Sequence, residues 1–169
     1  GVLMTIAVVL VHTSMPCSGQ RATLGLQVLY DFDSASGALV KDRSGSGQPL
    51  DLRISDPGHT RRNKGSLEIR GPAWMRSTKP ARSLVEAVKR SGEITVEAWI
   101  RPADARQDGP ARIVSLSRNS TNRNVTLGQD GDKFDVRLRT TRTNTNGLPS
   151  LATRTRSLST QLTHMVYTR

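Results

Sequence analysis

The chain has 169 residues, of which 25 are lysine or arginine and 14 are acidic, and its formal charge is therefore +11. That length fits one domain of ordinary size. Aromatic residues make up 4% of the chain, which is too few for a nucleic-acid surface built from stacked-base platforms. The single cysteine, Cys17, excludes an intrachain disulfide and a cysteine-only metal cage. The three scattered histidines provide no zinc-ligand spacing.

An uncharged apolar segment occupies residues 2–11. As a helix it is too short to cross a bilayer core of about 30 Å, so no membrane span is predicted. Pro16 and a run of small residues follow, an order typical of a secretory leader over residues 1–19 that is cleaved near Gly19. We therefore expect a secreted, periplasmic or cell-surface protein. Two alternatives stay open, a buried first strand and a lipid-modified Cys17.

Short strands and turns alternate over residues 20–169, which are predicted to form one domain. Period-two alternation of apolar and polar side chains predicts strands at 26–32, 50–54, 66–70, 94–100, 112–116, 125–127, 133–139 and 163–168. In the segment 94–100 the even-numbered residues share one apolar face. Trp99 lies on the other face and is expected to pack in the core or against a second sheet.

One segment has helical periodicity instead. Residues 80–90 place four apolar side chains at i, i+3, i+4 and i+7, beginning at Ala81. Pro80 suits the first turn of a helix, and Gly92 can end it. One short amphipathic helix among six or more short strands predicts a mainly β fold, an antiparallel β-sandwich rather than βαβ units.

Four segments, in this order, resemble those of laminin-G-like, concanavalin A-like jelly-roll domains. They are LYDFD at 29–33, DRSGSG at 42–47, ITVEAWI at 94–100 and LTHMVYT at 162–168. The last is similar to the family's W-x-H-V-A-V-T-Y strand, with Leu162 in place of tryptophan. The resemblance implies a jelly roll, which we expect to be incomplete at its C-terminal end and to form the front part of a longer secreted protein. The predicted helix resembles an insert in versions from planctomycete-type bacteria.

The same fold houses endoglucanases, which carry an E-x-D-x-x-E strand. Here the acidic residues near the equivalent strand are Glu93 and Glu97, with no aspartate between them. Four strand residues separate them by about 13 Å, whereas glycosidase carboxyl pairs need about 5–9.5 Å. We therefore predict that the chain is not an enzyme, and that Glu97 faces solvent or accepts a hydrogen bond.

Relatives of this fold often hold Ca²⁺ beside their loops, and the resemblance therefore implies a calcium site. Calcium takes six to eight oxygen ligands. The candidate metal ligands are Asp42, in the Ser/Gly turn at 42–47, together with Asp31 and Asp33. The alternative is that Asp42 caps its own turn through an Asx hydrogen bond, which needs no metal.

Three side chains are candidate ligand-binding residues. Arg137 and Arg139 share a strand face and could form a stripe for phosphate or sulfate, since six arginines and no acidic residue follow Asp135. Such a charge would attract an acidic polymer. Trp74, in a loop, is the better candidate of the two tryptophans for a sugar-stacking platform.

The resemblance implies a non-catalytic extracellular binding or adhesion module, with loops at the rim of the sandwich that recognise carbohydrate or protein partners. Nucleic acid is not an expected partner, because its motifs and aromatic platforms are missing. Two alternatives stay open. One is a glycoside-processing enzyme whose catalytic parts lie beyond Arg169, and the other is an acidic-polymer binder that uses the arginine surface.

Overall fold

The computed structural model describes the backbone of residues 2–10 and all of residues 23–34 and 36–169. Within these residues the strands are β1 (Val2–Leu10), β2 (Leu39–Val40), β3 (Leu52–Ile54), β4 (Thr60–Asn63), β5 (Ser66–Ile69), β6 (Met75–Ser77), β7 (Thr95–Arg101), β8 (Ala111–Ser117), β9 (Arg123–Asp130), β10 (Lys133–Leu138), β11 (Leu151–Ala152) and β12 (Thr163–Thr168). One α-helix, α1 (Arg82–Ser91), and a 3₁₀ turn (Pro57–His59) complete the described elements.

The strands form three sheets in the part of the chain that the structure describes. Their orders are β12-β7-β1-β5-β4, β2-β3-β6 and β11-β10-β9-β8. The pairings with an assigned register are antiparallel. The predicted mainly β, antiparallel fold with one helix is therefore confirmed.

The chain divides into two compact units. The first comprises Gly1–Ile100 with His164–Arg169, and the second Arg101–Thr163. The five-stranded and three-stranded sheets and α1 belong to the first unit, and the four-stranded sheet belongs to the second. In the first unit the fully buried side chains include Phe32, Leu67 and Ile100, and in the second Phe134 and Leu127. Each unit thus has apolar side chains of its own in its interior.

The predicted helix is confirmed with a small shift. It runs over Arg82–Ser91 and ends at Gly92, whose φ of 71° is left-handed and whose N–H donates to the Val88 carbonyl. Leu84 is buried, and the other residues of the predicted apolar face, Ala81, Val85 and Val88, are partly buried. Lys89 and Arg90 lie in the last turn, where cations interact favourably with the helix dipole.

Residues 26–32 were predicted as a strand, and this prediction is wrong for most of the segment. Its odd and even residues do alternate in burial, but only Val28 makes a β-bridge. The Leu29 N–H donates to the Asp42 side chain instead of to a neighbouring strand. Phe32 is buried with a left-handed φ of 54°, which an extended strand does not allow. The Leu29 carbonyl accepts the Arg43 N–H at 2.8 Å, so the segment is held by isolated hydrogen bonds and one bridge instead of a continuous ladder.

An Asp-Gly-Asp turn joins β9 and β10 in a hairpin. Lys133 pairs with Asp130 across it, and Gly131 between them has a φ of 60°, a conformation that glycine adopts without steric cost. The short strands β2, β4, β6 and β11 were not predicted, because two to four residues carry too little alternation to be recognised.

The leader predicted over residues 1–19 is described only in part. The backbone of Val2–Leu10 forms strand β1 and pairs antiparallel with β5. The predicted cleavage region and Cys17 lie outside the described residues, so the leader, its cleavage and the alternatives to it stay predictions. The residues that the structure describes include no apolar helix of the length that a bilayer crossing requires.

Candidate functional site

Strands β7 and β12 place a group of polar and aromatic side chains on one surface of the first unit. Ile94 and Arg169 exchange both backbone hydrogen bonds, of 2.8 and 2.9 Å, just beyond the ends of the two strands. This antiparallel register sets Thr95 opposite Thr168, and their hydroxyl groups are 3.1 Å apart. Continuing the same register sets Trp99 opposite His164. We call Glu97, Trp99, His164 and Val166 the β7–β12 surface.

The two faces of β7 differ because its side chains alternate. The even-numbered residues from Ile94 to Ile100 are buried, as predicted. Trp99, however, is 38% exposed. The expectation that it packs in the core or against a second sheet is therefore wrong. The alternation of side chains along β7 places Trp99 on the outer face of the strand, where the imidazole of His164 covers part of its ring.

Trp99 and His164 are stacked on each other. Their ring centroids lie 4.3 Å apart and the ring planes differ by 7°. His164 Nε2 lies 2.7 Å from Glu97 Oε1, and because a carboxylate only accepts, the imidazole donates this hydrogen bond. The stack and the hydrogen bond together hold the imidazole in one orientation. Glu97 accepts a hydrogen bond, as predicted, although its partner is 67 residues away.

The arrangement presents an apolar ring beside fixed polar atoms. Glu97 Oε2 and His164 Nδ1 have no hydrogen-bond partner among the described residues. An exposed indole offers a flat apolar face, and a carboxylate and an imidazole nitrogen next to it can bond the hydroxyl groups of a ligand. Sequence reasoning missed this group as a site, because Glu97 and His164 were considered separately. The sequence signal for this group is that the two predicted strands at 94–100 and 163–168 each carry polar side chains on one face, and that these faces meet if the two strands pair.

Trp74, the predicted sugar platform, precedes β6 in the first unit and is 54% exposed. Its backbone N–H donates to Ser55 Oγ at 3.0 Å, and its carbonyl accepts from the Ser55 N–H at 2.9 Å. The Arg76 guanidinium carbon lies 4.7 Å from the centroid of the indole, a cation–π distance. Trp74 is thus an exposed aromatic ring with a cation over one face.

Two of the three predicted metal ligands, Asp31 and Asp42, accept backbone hydrogen bonds within the chain. Both oxygens of Asp42 accept backbone N–H groups: Oδ1 from Leu29 and Ser44, and Oδ2 from Leu50, at 2.9–3.1 Å. Asp31 Oδ1 accepts the Asp33 N–H at 3.2 Å. Among the described residues no three histidine, cysteine, aspartate or glutamate side chains form a metal-binding group. The hydrogen bonds agree with the alternative in which Asp42 caps its own turn.

The predicted arginine stripe lies in the second unit, and its two members differ. Arg137 Nε is 3.0 Å from the oxygen Oδ2 of Asp135, and both side chains are largely buried. Arg139 is exposed beyond the end of β10. Arg123, which the sequence did not single out, is 7% exposed, and burial together with the nearby Arg137 and Arg112 lowers the pKa of its guanidinium. Of the two residues of the predicted stripe, Arg137 thus has its charge neutralised by the ion pair with Asp135.

Comparison with known proteins identifies the family. Neither the curated proteins nor the solved structures give a significant match. A laminin G-like family model, described as the concanavalin A-like lectin/glucanases superfamily, matches residues 77–169. This range contains α1 and all of β7–β12, and it covers more than half of the chain. The chain therefore belongs to the laminin G-like family of the concanavalin A-like lectin/glucanases superfamily.

Proposed function

We propose that the chain is a non-catalytic binding module that acts outside the cell and holds neutral carbohydrate on the β7–β12 surface. The observation that carries this proposal is the stack of Trp99 on His164, with Glu97 hydrogen-bonded to the imidazole. The family supports a binding module in general terms. The choice of carbohydrate rests on the chemistry of these side chains.

A neutral sugar has two kinds of surface, and the site has a counterpart for each. The axial C–H groups of a pyranose form an apolar face that can lie on the exposed part of the Trp99 indole. The ring hydroxyls can donate to Glu97 Oε2 or bond His164 Nδ1. Since the imidazole is already held by the stack and the hydrogen bond, it loses little side-chain entropy when a ligand binds.

The proposed absence of catalysis follows from the number and spacing of the acidic groups. Glycoside hydrolysis needs two carboxyl groups about 5–9.5 Å apart. Glu97 is joined to His164, and Glu93, the preceding acidic residue in the sequence, is about 13 Å away along an extended backbone. The β7–β12 surface therefore supports binding rather than bond cleavage.

Affinity electrophoresis of the whole chain in gels that contain a neutral polysaccharide tests the proposal. The probes are laminarin, mixed-linkage β-glucan, xyloglucan and β-galactan. We expect retardation by at least one of them, and Trp99→Ala should weaken it at least tenfold, which corresponds to about 1.4 kcal/mol. Trp74→Ala, the matched change at the other exposed tryptophan, should leave it unchanged.

Three results would overturn the proposal. The first is that none of the four polymers retards the wild-type chain, and the second is that Trp99→Ala is retarded as strongly as the wild-type chain in every gel. The third is release of reducing ends from any of the four polymers, because this would show hydrolysis. A small loss for Glu97→Gln compared with Glu97→Ala would support the proposed role of Glu97 in holding the imidazole.

A further inference from the structure

The three-stranded sheet carries two arginines directly opposite each other. Arg53 of β3 pairs with Arg76 of β6, and Leu39 of β2 pairs with Arg53 on the other side. All three side chains are exposed. Opposed residues of an antiparallel pair have Cβ atoms about 4.5–5.5 Å apart, and like charges on directly opposed residues destabilise the sheet. An anion bound to both arginines would offset this repulsion.

No acidic side chain of the protein neutralises this pair. All 14 acidic residues lie in the part of the chain that the structure describes, and none of them forms an ion pair with Arg53 or Arg76. Asp51, which precedes β3, accepts the Asp42 N–H at 2.9 Å instead. The like charges of this sheet thus remain available to an external anion.

Trp74 belongs to the same surface. It is two residues before Arg76, and exposure alternates along this segment, so that both side chains are on the outer face. The guanidinium of Arg76 lies over the indole ring, and this cation–π contact keeps it beside the aromatic ring. Backbone hydrogen bonds to Ser55 hold the tryptophan at its position. We call Arg53, Trp74 and Arg76 the arginine–tryptophan face.

We infer that the arginine–tryptophan face is a second binding site, separate from the β7–β12 surface, and that its ligand is a carboxylated saccharide of the polyuronate type. A uronate ring can lie on the exposed indole while its carboxylate, attached directly to the ring, reaches the guanidinium groups. The planar fork of arginine matches a carboxylate in two parallel hydrogen bonds. Binding would also relieve the repulsion between Arg53 and Arg76.

Binding to polygalacturonate by the whole chain tests this inference, with the methyl-esterified polymer as the uncharged comparison. We expect the ester to bind at least tenfold more weakly. The double variant R53Q/R76Q should lose at least tenfold in affinity for polygalacturonate, and Trp74→Ala at least fivefold. The control is Arg90→Gln, which removes an exposed charge from α1 and should change the affinity less than twofold. Trp99→Ala should also leave it unchanged, which separates this site from the one proposed above.

Three outcomes would overturn the inference. An equal loss in R90Q and in R53Q/R76Q would mean that net charge alone attracts the polymer. Equal binding of the methyl ester would exclude recognition of the carboxylate, and equal or tighter binding of dextran sulfate would exclude specificity for carboxylated sugars. Thermal unfolding gives an independent check, because removal of one member of a repelling pair should leave the melting temperature of R53Q or R76Q unchanged or raise it.

Discussion

Replacement of Asp42 by asparagine separates the two roles that were considered for this residue. The carboxylate accepts three backbone N–H groups, from Leu29, Ser44 and Leu50, at 3.1, 2.9 and 2.9 Å. These donors belong to three different parts of the chain, so that Asp42 joins the irregular segment at 26–32, its own turn and the entry to β3. Asparagine has nearly the same shape, but one of its two terminal groups is a donor.

The structure allows a rough magnitude for this change. In Asp42→Asn the amide oxygen can still accept some of the three hydrogen bonds, but the NH₂ group is a donor and faces at least one of the N–H groups. A partly buried donor without an acceptor costs about 1–3 kcal/mol, and a hydrogen bond to a charged acceptor is worth about 1.5–3 kcal/mol. We therefore expect the free energy of unfolding to fall by about 2–4 kcal/mol.

The assay is urea unfolding followed by circular dichroism, once with calcium chloride and once with a chelator. The wild-type chain and Asp42→Asn should each show the same unfolding midpoint in both solutions, with the variant lower in both. Asp108→Asn is the control, since Asp108 is exposed and its side chain makes no hydrogen bond or ion pair with the described residues. It should leave the stability unchanged within about 0.5 kcal/mol.

Two results would refute the reasoning about Asp42. If Asp42→Asn is as stable as Asp108→Asn, the three hydrogen bonds do not hold this part of the fold. If calcium stabilises the wild-type chain and not the variant, the residue is a metal ligand and the turn-capping role is secondary.

Two further predictions concern buried polar groups. Burial raises the pKa of the Tyr30 phenol, and the charges of Asp42 and Asp51 add to the effect. The pKa in the folded state is therefore above the unfolded value of about 10, so that the unfolded chain loses the phenol proton first as the pH rises. The free energy of unfolding should be unaffected by Tyr30 below pH 10 and should decline above it by up to about 1.4 kcal/mol per pH unit. Urea unfolding at several pH values above 10 should show a flatter decline for Tyr30→Phe, and an identical slope would contradict the assignment. Asp135, which is 4% exposed, pairs with Arg137 at 3.0 Å, and Asp135→Asn should cost about 3 kcal/mol because it leaves a buried cation unpaired. Adding Arg137→Gln to that variant should restore part of the loss, and a loss below about 1 kcal/mol for Asp135→Asn alone would contradict this account.

The local pattern of apolar and polar residues was sufficient to predict much of the fold. In β7 the alternation of side chains correctly separated the buried even-numbered residues from the outer face, because which face a strand residue occupies depends only on its nearest neighbours in sequence. The helix was also predictable, since its apolar face, its basic last turn and the glycine that ends it are all local signals. The segment at 26–32 shows the limit of this approach. Its alternation predicted burial correctly, but whether a ladder forms depends on what lies beside the segment, and here an aspartate side chain does.

What the sequence determined by itself is therefore the class of the fold, the inward face of β7 and the position of its helix. The tertiary structure alone decided which outer-face residues meet. His164 reaches Glu97 and Trp99 only because β12 lies beside β7 in one particular register, and Arg53 faces Arg76 only because β6 pairs with β3. The physical reason is that side chains along a strand alternate between two faces whichever strand lies beside it. A binding surface, in contrast, depends on which strand becomes the neighbour and on the register of the pairing, and the whole chain determines both.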